Sequence, residues 1–197
     1  MKLYYSPTSP YSRKVRIVAA EKELPVENIL ANPYEENADL VATNPLGAVP
    51  TFITDNGTPL FDSPVICAYL DSLKPSPKLI PDDDTRWTVL RSEALTDGIL
   101  DAAFLMVMES RRPEVEQSDY WKKRRVAAIN RSLDAIEADF THFEGDLTIA
   151  QIGLASAFGY LDFRLSEIEW RKDRHKSTAW FDTFSKRPSM TETVPEA

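Results

Sequence analysis

Hydroxyl side chains and a proline lie together near the amino terminus, in the segment Ser9-Pro10-Tyr11-Ser12. Serine is a good helix cap and proline is common at the first helical position, so a helix is expected to begin here. The first-turn N–H groups and the helix dipole favour an anion at such a place. A thiolate could therefore lie there if a hydroxyl donated a hydrogen bond to its sulfur. The alternative is that Ser9 only caps the helix.

A second motif, Asn44-Pro45-Leu46-Gly47-Ala48-Val49-Pro50, restricts the path of the chain with two prolines and a glycine. Pro50 has no N–H, but Val49 keeps both its N–H and its C=O. A turn at this point can leave both groups free to pair with an incoming peptide as an extra strand. The alternative is an ordinary tight loop.

The third candidate is Asp62-Ser63, which precedes Pro64 and an apolar stripe typical of a helix. The pattern predicts that Ser63 caps this helix and that Pro64 takes its first position. A helix N-terminus with a serine hydroxyl suits a carboxylate, and a neighbouring aspartate suits an ammonium group. The pair therefore matches the head of an amino acid, with simple helix capping as the alternative.

The elements that must position these residues follow from hydrophobic runs and turn residues. They predict a first domain, residues 1–77, with the order β-α-β-α-β-β-α, in which Asn56-Gly57 marks a hairpin. A stretch rich in proline and charge follows, and beyond it only helical spacing remains. The fold class is therefore an α/β domain followed by an all-α domain, residues 84–197. In the latter, Thr148 and Gln151 are predicted to cap one helix start reciprocally.

Composition narrows the classes of function. Acidic residues outnumber lysine and arginine by 31 to 23 among 197 residues, so nucleic acid and anionic lipid are not expected partners. One cysteine and two histidines cannot supply an ordinary structural zinc site, and no metal is predicted. Cys67 is interpreted as an inert core thiol. The absence of a secretory signal or of a long apolar run predicts a soluble, cytoplasmic protein.

The order of elements and the two later motifs together resemble the glutathione S-transferase superfamily, along nearly the whole chain. The resemblance implies a thioredoxin-like first domain and a helical-bundle second domain. It also implies that Val49 pairs its backbone with the cysteinyl part of glutathione across a cis bond to Pro50. In the same way, Asp62 and Ser63 would hold the γ-glutamyl end. Glutathione would be a co-substrate, and no resident cofactor is implied.

The segment Ser9-Pro10-Tyr11-Ser12 resembles the Cys-Pro-Tyr-Cys site of glutaredoxins, with oxygen in place of sulfur. A serine cannot form a mixed disulfide, so Ser9 would instead hydrogen-bond the glutathione sulfur, as in serine-type bacterial transferases. Other hydroxyls lie close by in sequence, and Ser9 is preferred on position alone. The predicted protein is a homodimeric transferase that joins glutathione to a small electrophile. The alternatives are a non-catalytic interaction protein on the same scaffold and a glutathione-dependent thiol reductase.

Overall fold

Short strands rich in apolar and aromatic residues form a mixed sheet early in the chain. A computed structural model describes residues 1–35 and 37–196. Its four strands are β1 (Lys2–Tyr5), β2 (Glu27–Leu30), β3 (Thr51–Ile53) and β4 (Pro59–Leu60). Their order across the sheet is β2-β1-β3-β4, with β1 parallel to β2, and with β3 antiparallel to both β1 and β4.

Three helices complete this part of the chain: α1 (Pro10–Glu21), α2 (Ala38–Thr43) and α3 (Ser63–Ser72). The helices α1 and α3 pack against each other. Burial of apolar side chains from these helices and from the central strands forms the core, which includes Leu3, Val15, Ile17, Val18, Phe52, Ile66 and Leu70. The observed order confirms the predicted β-α-β-α-β-β-α arrangement and the thioredoxin-like fold class.

The hairpin between β3 and β4 turns at the predicted Asn-Gly pair. The N–H of Thr54 donates to the carbonyl oxygen of Thr58 at 3.0 Å, and the N–H of Gly57 donates back to the carbonyl oxygen of Thr54 at 3.0 Å. Gly57 has φ +84°, in the left-handed region that favours glycine. The turn fixes the register of β4 on β3, with Leu60 opposite Phe52.

The rest of the chain is helical, as predicted. Its α-helices are α4 (Arg86–Ser110), α5 (Asp119–Ala138), α6 (Ile149–Arg164), α7 (His175–Phe184) and α8 (Pro188–Thr191). Short 3-10 segments cover Glu114–Glu116, Phe140–Phe143 and Ser166–Ile168. No helix within residues 1–35 and 37–196 is both long enough and apolar enough to cross a membrane.

The central helix of this bundle, α6, begins as the sequence predicts. Thr148 and Gln151 form the reciprocal capping box, in which the N–H of Thr148 donates to Oε1 of Gln151 at 2.7 Å. Almost all of α6 is buried, and it packs closely against α4. A Cβ atom at Gly153 would collide with the side chain of Thr96 on α4. The absence of a side chain at this position therefore allows the two helices to approach.

The chain forms two compact units, residues 1–80 together with the segment from Arg187, and residues 81–186. The division predicted from sequence assigns all of 84–197 to the second domain, whereas in the structure the segment from Arg187 packs with the first unit. Glu21 on α1 holds this segment: its carboxylate accepts two hydrogen bonds from Arg187, at 2.8 and 2.7 Å, and one from Ser189 at 2.5 Å.

A buried ion pair stabilises the end of the first unit. The Nζ of Lys22 lies 2.9 Å from Oδ1 of Asp71, and both side chains are almost fully buried. Lys22 also donates to the carbonyl oxygens of Lys74 and Pro77, at 2.6 and 2.7 Å. The Asp71 carboxylate accepts two backbone N–H groups from residues 79 and 80. The pair therefore joins the end of α1, the end of α3 and the segment 74–80.

Candidate functional site

The register of the sheet brings the three predicted clusters to one edge. Tyr4, near the end of β1, lies opposite Thr51, where β3 begins. Leu60, the last residue of β4, lies opposite Phe52. Neighbouring strands are about 4.8 Å apart, so the chain leaves β1, enters β3 and leaves β4 at adjacent positions. We call this edge, formed by residues 6–9, 44–50 and 61–63, the candidate site.

Ser9 is the N-cap of α1, with Pro10 at the first helical position, as the sequence predicts. Its Oγ accepts a hydrogen bond from the backbone N–H of Ser12 at 3.2 Å. A serine hydroxyl has two acceptor lone pairs and one O–H donor, so capping leaves the proton available for a ligand. Capping and ligand binding by Ser9 are therefore compatible.

The neighbouring hydroxyls differ from Ser9 in access and in partners. The Ser6 and Thr8 hydroxyls lie 3.2 Å apart and hydrogen-bond to each other. Ser12 is fully buried, and its Oγ has no hydrogen-bond partner among residues 1–35 and 37–196. Ser9 is half-buried and lies at the start of the helix. Access therefore favours Ser9 over Ser12 as the hydroxyl that a ligand meets.

The loop before β3 contains a cis peptide bond between Val49 and Pro50, as the family resemblance implies. Pro50 is buried and Val49 is half-buried. In the part of the chain that the structure describes, neither the N–H nor the C=O of Val49 has a hydrogen-bond partner. This residue keeps the donor and acceptor that an extended peptide needs.

The start of α3 differs from the prediction by one residue. Asp62, not Ser63, is the N-cap, and its carboxylate accepts the N–H of Ser63. Pro64 consequently occupies the second helical position. The peptide bond between Phe61 and Asp62 is also cis. Both residues cap well, and the exposed Asp62 keeps a second carboxylate oxygen for a cation beside a helix N-terminus that suits an anion.

Two arginines on α1 donate hydrogen bonds to the carboxy-terminal segment. Arg13 is buried, and its Nη2 donates to the carbonyl oxygen of Met190 at 3.3 Å. Arg16 donates to the carbonyl oxygen of Glu192 at 3.2 Å. Burial, and secondly the charge of Arg16, lowers the pKa of Arg13 to about 10. Arg13 is therefore still a cation at neutral pH.

Other predicted features lie away from this chemistry. Cys67 is buried within α3, which agrees with its interpretation as a core thiol. Across residues 1–35 and 37–196, no group of three or more histidine, cysteine, aspartate or glutamate side chains is placed to hold a metal ion.

Two residues that sequence reasoning left without a role contact the loop of Val49. Asn44 begins the motif and is buried, and Thr51 follows Pro50 and is fully buried. An available signal was Asn44 itself, because asparagine side chains often hydrogen-bond the backbone two residues ahead. The Asn44 Oδ1 accepts the N–H of Leu46 in this way, at 3.0 Å.

Comparisons with known proteins agree with this geometry. The family model of the glutathione S-transferase N-terminal domain matches residues 3–78. The model of the glutathione S-transferase C-terminal domain matches residues 119–183. The two models describe the two domains of one family, and they match the chain in the same order.

Individual proteins resemble the chain over its whole length. The uncharacterized GST-like protein YibF of Escherichia coli (strain K12) is 37% identical over 99% of this chain and 98% of its own. A glutathione S-transferase from Methylobacillus flagellatus KT, crystallised with GSH bound, has a TM-score of 0.94 at 36% identity, covering 99% of both chains. A glutathione transferase family member from Pseudomonas fluorescens Pf-5, with bound S-(propanoic acid)-glutathione, has a TM-score of 0.91 at 36% identity, covering 100% of both chains.

Proposed function

Because this chain belongs to the glutathione S-transferase superfamily, we propose that it binds glutathione at the candidate site and joins it, through its thiolate sulfur, to a small electrophile. One observation carries the proposal. The sheet register brings a helix N-terminus with a hydroxyl, an open peptide backbone and a carboxylate beside a second helix N-terminus to the same edge. These are the groups that a thiol, a peptide and an amino-acid head require.

Each part of glutathione has a proposed partner. The N–H and C=O of Val49, next to Pro50, pair with the backbone of the cysteinyl residue as a short extra strand. The carboxylate of Asp62 binds the ammonium group of the γ-glutamyl residue. Ser63 and the first turn of α3 bind its carboxylate. Ser9 then faces the sulfur.

The proposed chemistry uses the donor proton of Ser9. The thiol of glutathione loses its proton to solvent, and the Ser9 hydroxyl donates a hydrogen bond to the resulting thiolate. A hydrogen bond to a charged group is worth about 1.5 to 3 kcal/mol, which corresponds to a thiol pKa lower by about one to two units. The thiolate attacks an electrophilic carbon, a C–S bond forms, and any leaving group departs with the electron pair of its broken bond.

The co-substrate is proposed to be a small electrophile of the kind removed in detoxification. Glutathione acts as a consumed co-substrate, and this proposal needs no metal or resident cofactor. We also propose that the protein is a homodimer in the cytoplasm. Light scattering of the purified protein tests whether it is a dimer, and cell fractionation tests whether it lies in the cytoplasm.

Conjugation is favoured over thiol reduction because the side chain at position 9 carries an oxygen atom in place of sulfur. A reductase of this kind forms a mixed disulfide through its own sulfur, and Ser9 has none to exchange. The cysteine of the chain, Cys67, is buried in α3. A reductase assay with a glutathione mixed disulfide separates the two reactions, and turnover in that assay would favour the reductase.

The direct test combines binding with turnover. We expect calorimetry to detect glutathione binding to the wild-type protein, and a model aryl halide to be consumed in its presence. Binding without turnover of any electrophile would favour the non-catalytic interaction protein. No binding of glutathione would overturn the proposal.

A further inference from the structure

The loop that carries Val49 is held from within by one buried side chain. The Asn44 Nδ2 donates to the carbonyl oxygen of Ala48 at 3.1 Å and to Oγ1 of Thr51 at 2.9 Å. Its Oδ1 accepts the N–H of Leu46. Asn44 thus contacts the loop before Val49 and the strand after it.

Thr51 closes the same network from the other side of the cis bond. Its Oγ1 donates to the carbonyl oxygen of Ala48 at 2.8 Å while accepting from Asn44. The carbonyl oxygen of Ala48, which belongs to the peptide unit just before Val49, therefore accepts two side-chain hydrogen bonds. Both side chains are buried, so the bond between Asn44 and Thr51 is shielded from competing water, while the two bonds to Ala48 are part-buried.

A backbone turn completes the loop. The N–H of Gly47 donates to the carbonyl oxygen of Asn44 at 2.8 Å, and Gly47 has φ +59°. This is the geometry of a turn with proline at its second position and glycine at its fourth. Val49 takes part in none of these hydrogen bonds, although Ala48 before it and Thr51 after Pro50 are both held by them.

We propose that Asn44 and Thr51 are positioning residues, which hold the N–H and C=O of Val49 in place for the cysteinyl backbone of glutathione. The inference rests on the proposed function. A loop fixed before binding does not lose conformational freedom when the ligand pairs with it, whereas a loosened loop must be ordered by the ligand. Weakening the network therefore lowers affinity for glutathione, while Ser9 and the ionisation of the bound thiol are unaffected.

The test uses two substitutions of one buried residue. Thr51→Val keeps the shape of the side chain and removes the hydroxyl, and Thr51→Ser keeps the hydroxyl. We expect glutathione to bind Thr51→Val roughly tenfold more weakly in calorimetry, because the loop is then ordered only when the ligand binds, and the lost conformational entropy weakens binding. Thr51→Ser should stay within about twofold of wild type, since both of its hydrogen bonds remain. The pKa of the bound thiol should be the same in all three proteins.

A general loss of stability is separated from loop positioning by a matched control. Glu21→Gln weakens a tether in the same unit without touching the loop. It should bind glutathione with wild-type affinity even where its unfolding midpoint falls as far as that of Thr51→Val. Amide exchange of Leu46 and Gly47, whose N–H groups are hydrogen-bonded within the loop, should be faster without ligand in Thr51→Val and unchanged in Glu21→Gln.

The outcomes distinguish this inference from the proposal on which it rests. A wild-type protein that does not bind glutathione overturns the proposed function. A wild-type protein that binds, with Thr51→Val binding equally well, overturns only the positioning role. Equal losses in Thr51→Val and Thr51→Ser, or a shifted thiol pKa in Thr51→Val, would also contradict it.

Discussion

The Oγ of Ser9 lies 3.2 Å from the backbone nitrogen of Ser12, so the hydroxyl proposed to activate a thiol also caps α1. The two roles use different parts of one group, because the cap uses a lone pair and the thiolate uses the proton. Substitution of Ser9 therefore has two separable effects, one on the stability of the helix and one on the bound sulfur.

Removing the cap should destabilise the first unit. We expect Ser9→Ala to lower its free energy of unfolding by about 1 kcal/mol, while Ser9→Thr loses much less. All four tryptophans lie in residues 81–186, so tryptophan fluorescence would report the wrong unit. Hydrogen exchange of the α1 amides is the suitable measurement. Unchanged protection in Ser9→Ala would show that the cap contributes nothing.

The charge of Asp62 should matter for binding. Asp62→Asn keeps an oxygen that can cap α3 but removes the negative charge proposed to hold the ligand ammonium group. We expect the dissociation constant for glutathione to rise about tenfold or more, in line with hydrogen bonds to charged groups. The control is Asp84→Asn, an exposed carboxylate in the second unit. Equal affinities in the two variants would contradict the role of Asp62.

Breaking the buried pair of Lys22 and Asp71 should lower the stability of the protein more, per substitution, than replacing both residues together. Removing one partner leaves a buried charge without compensation, so Asp71→Asn and Lys22→Met are each expected to lower stability by about 3 to 5 kcal/mol. The combination Lys22→Met with Asp71→Asn should lower it by less than the sum of the single losses. Urea unfolding of the four proteins gives the coupling energy, and simple additivity would argue against the pair.

The tether between Glu21 and Arg187 should make stability depend on pH. The hydrogen bond from Arg187 lowers the pKa of Glu21, against burial that raises it, and Ser189 lowers it further. A carboxylate with a lowered pKa stabilises the fold above its unfolded value of about 4.5, and this contribution is lost as the pH falls through the folded value. Unfolding of the first unit should therefore become easier as the pH falls below about 4.5 and then through the lower pKa that Glu21 has in the folded protein.

The control for this pH dependence is Glu21→Gln, which has no charge to lose at position 21. Its stability should fall less steeply over the same range, by a difference within about 1 kcal/mol for a partly exposed pair. Identical slopes for the two proteins would contradict the tether.

Local signals in the sequence are enough for most of the elements. The elements of the first domain form in the predicted order, and both the Asn-Gly hairpin and the Thr148 capping box form where they were expected. Each depends on a few adjacent residues with strong conformational preferences. The position of the α3 cap was one residue wrong because Asp62 and Ser63 cap equally well, and only the local backbone path decides between them.

Contacts between distant residues could not be predicted in this way. Lys22 and Asp71 are charged residues that a sequence pattern places on the surface, and they are buried through a contact between two residues that lie 49 positions apart in the chain. Glu21 and Arg187 are 166 positions apart. The roles of Asn44 and Thr51 likewise require the loop geometry, since a buried amide and hydroxyl have no periodic signature.

The most direct test of the account is the pKa of the glutathione thiol while bound, followed by ultraviolet absorbance of the thiolate in wild type, Ser9→Ala and Ser9→Thr. We predict that Ser9→Ala raises this pKa by about one to two units relative to wild type, because the thiolate loses a hydrogen bond. Ser9→Thr should keep the wild-type value. An equal pKa in wild type and Ser9→Ala, with glutathione bound in both, would contradict the proposal that Ser9 activates the thiol.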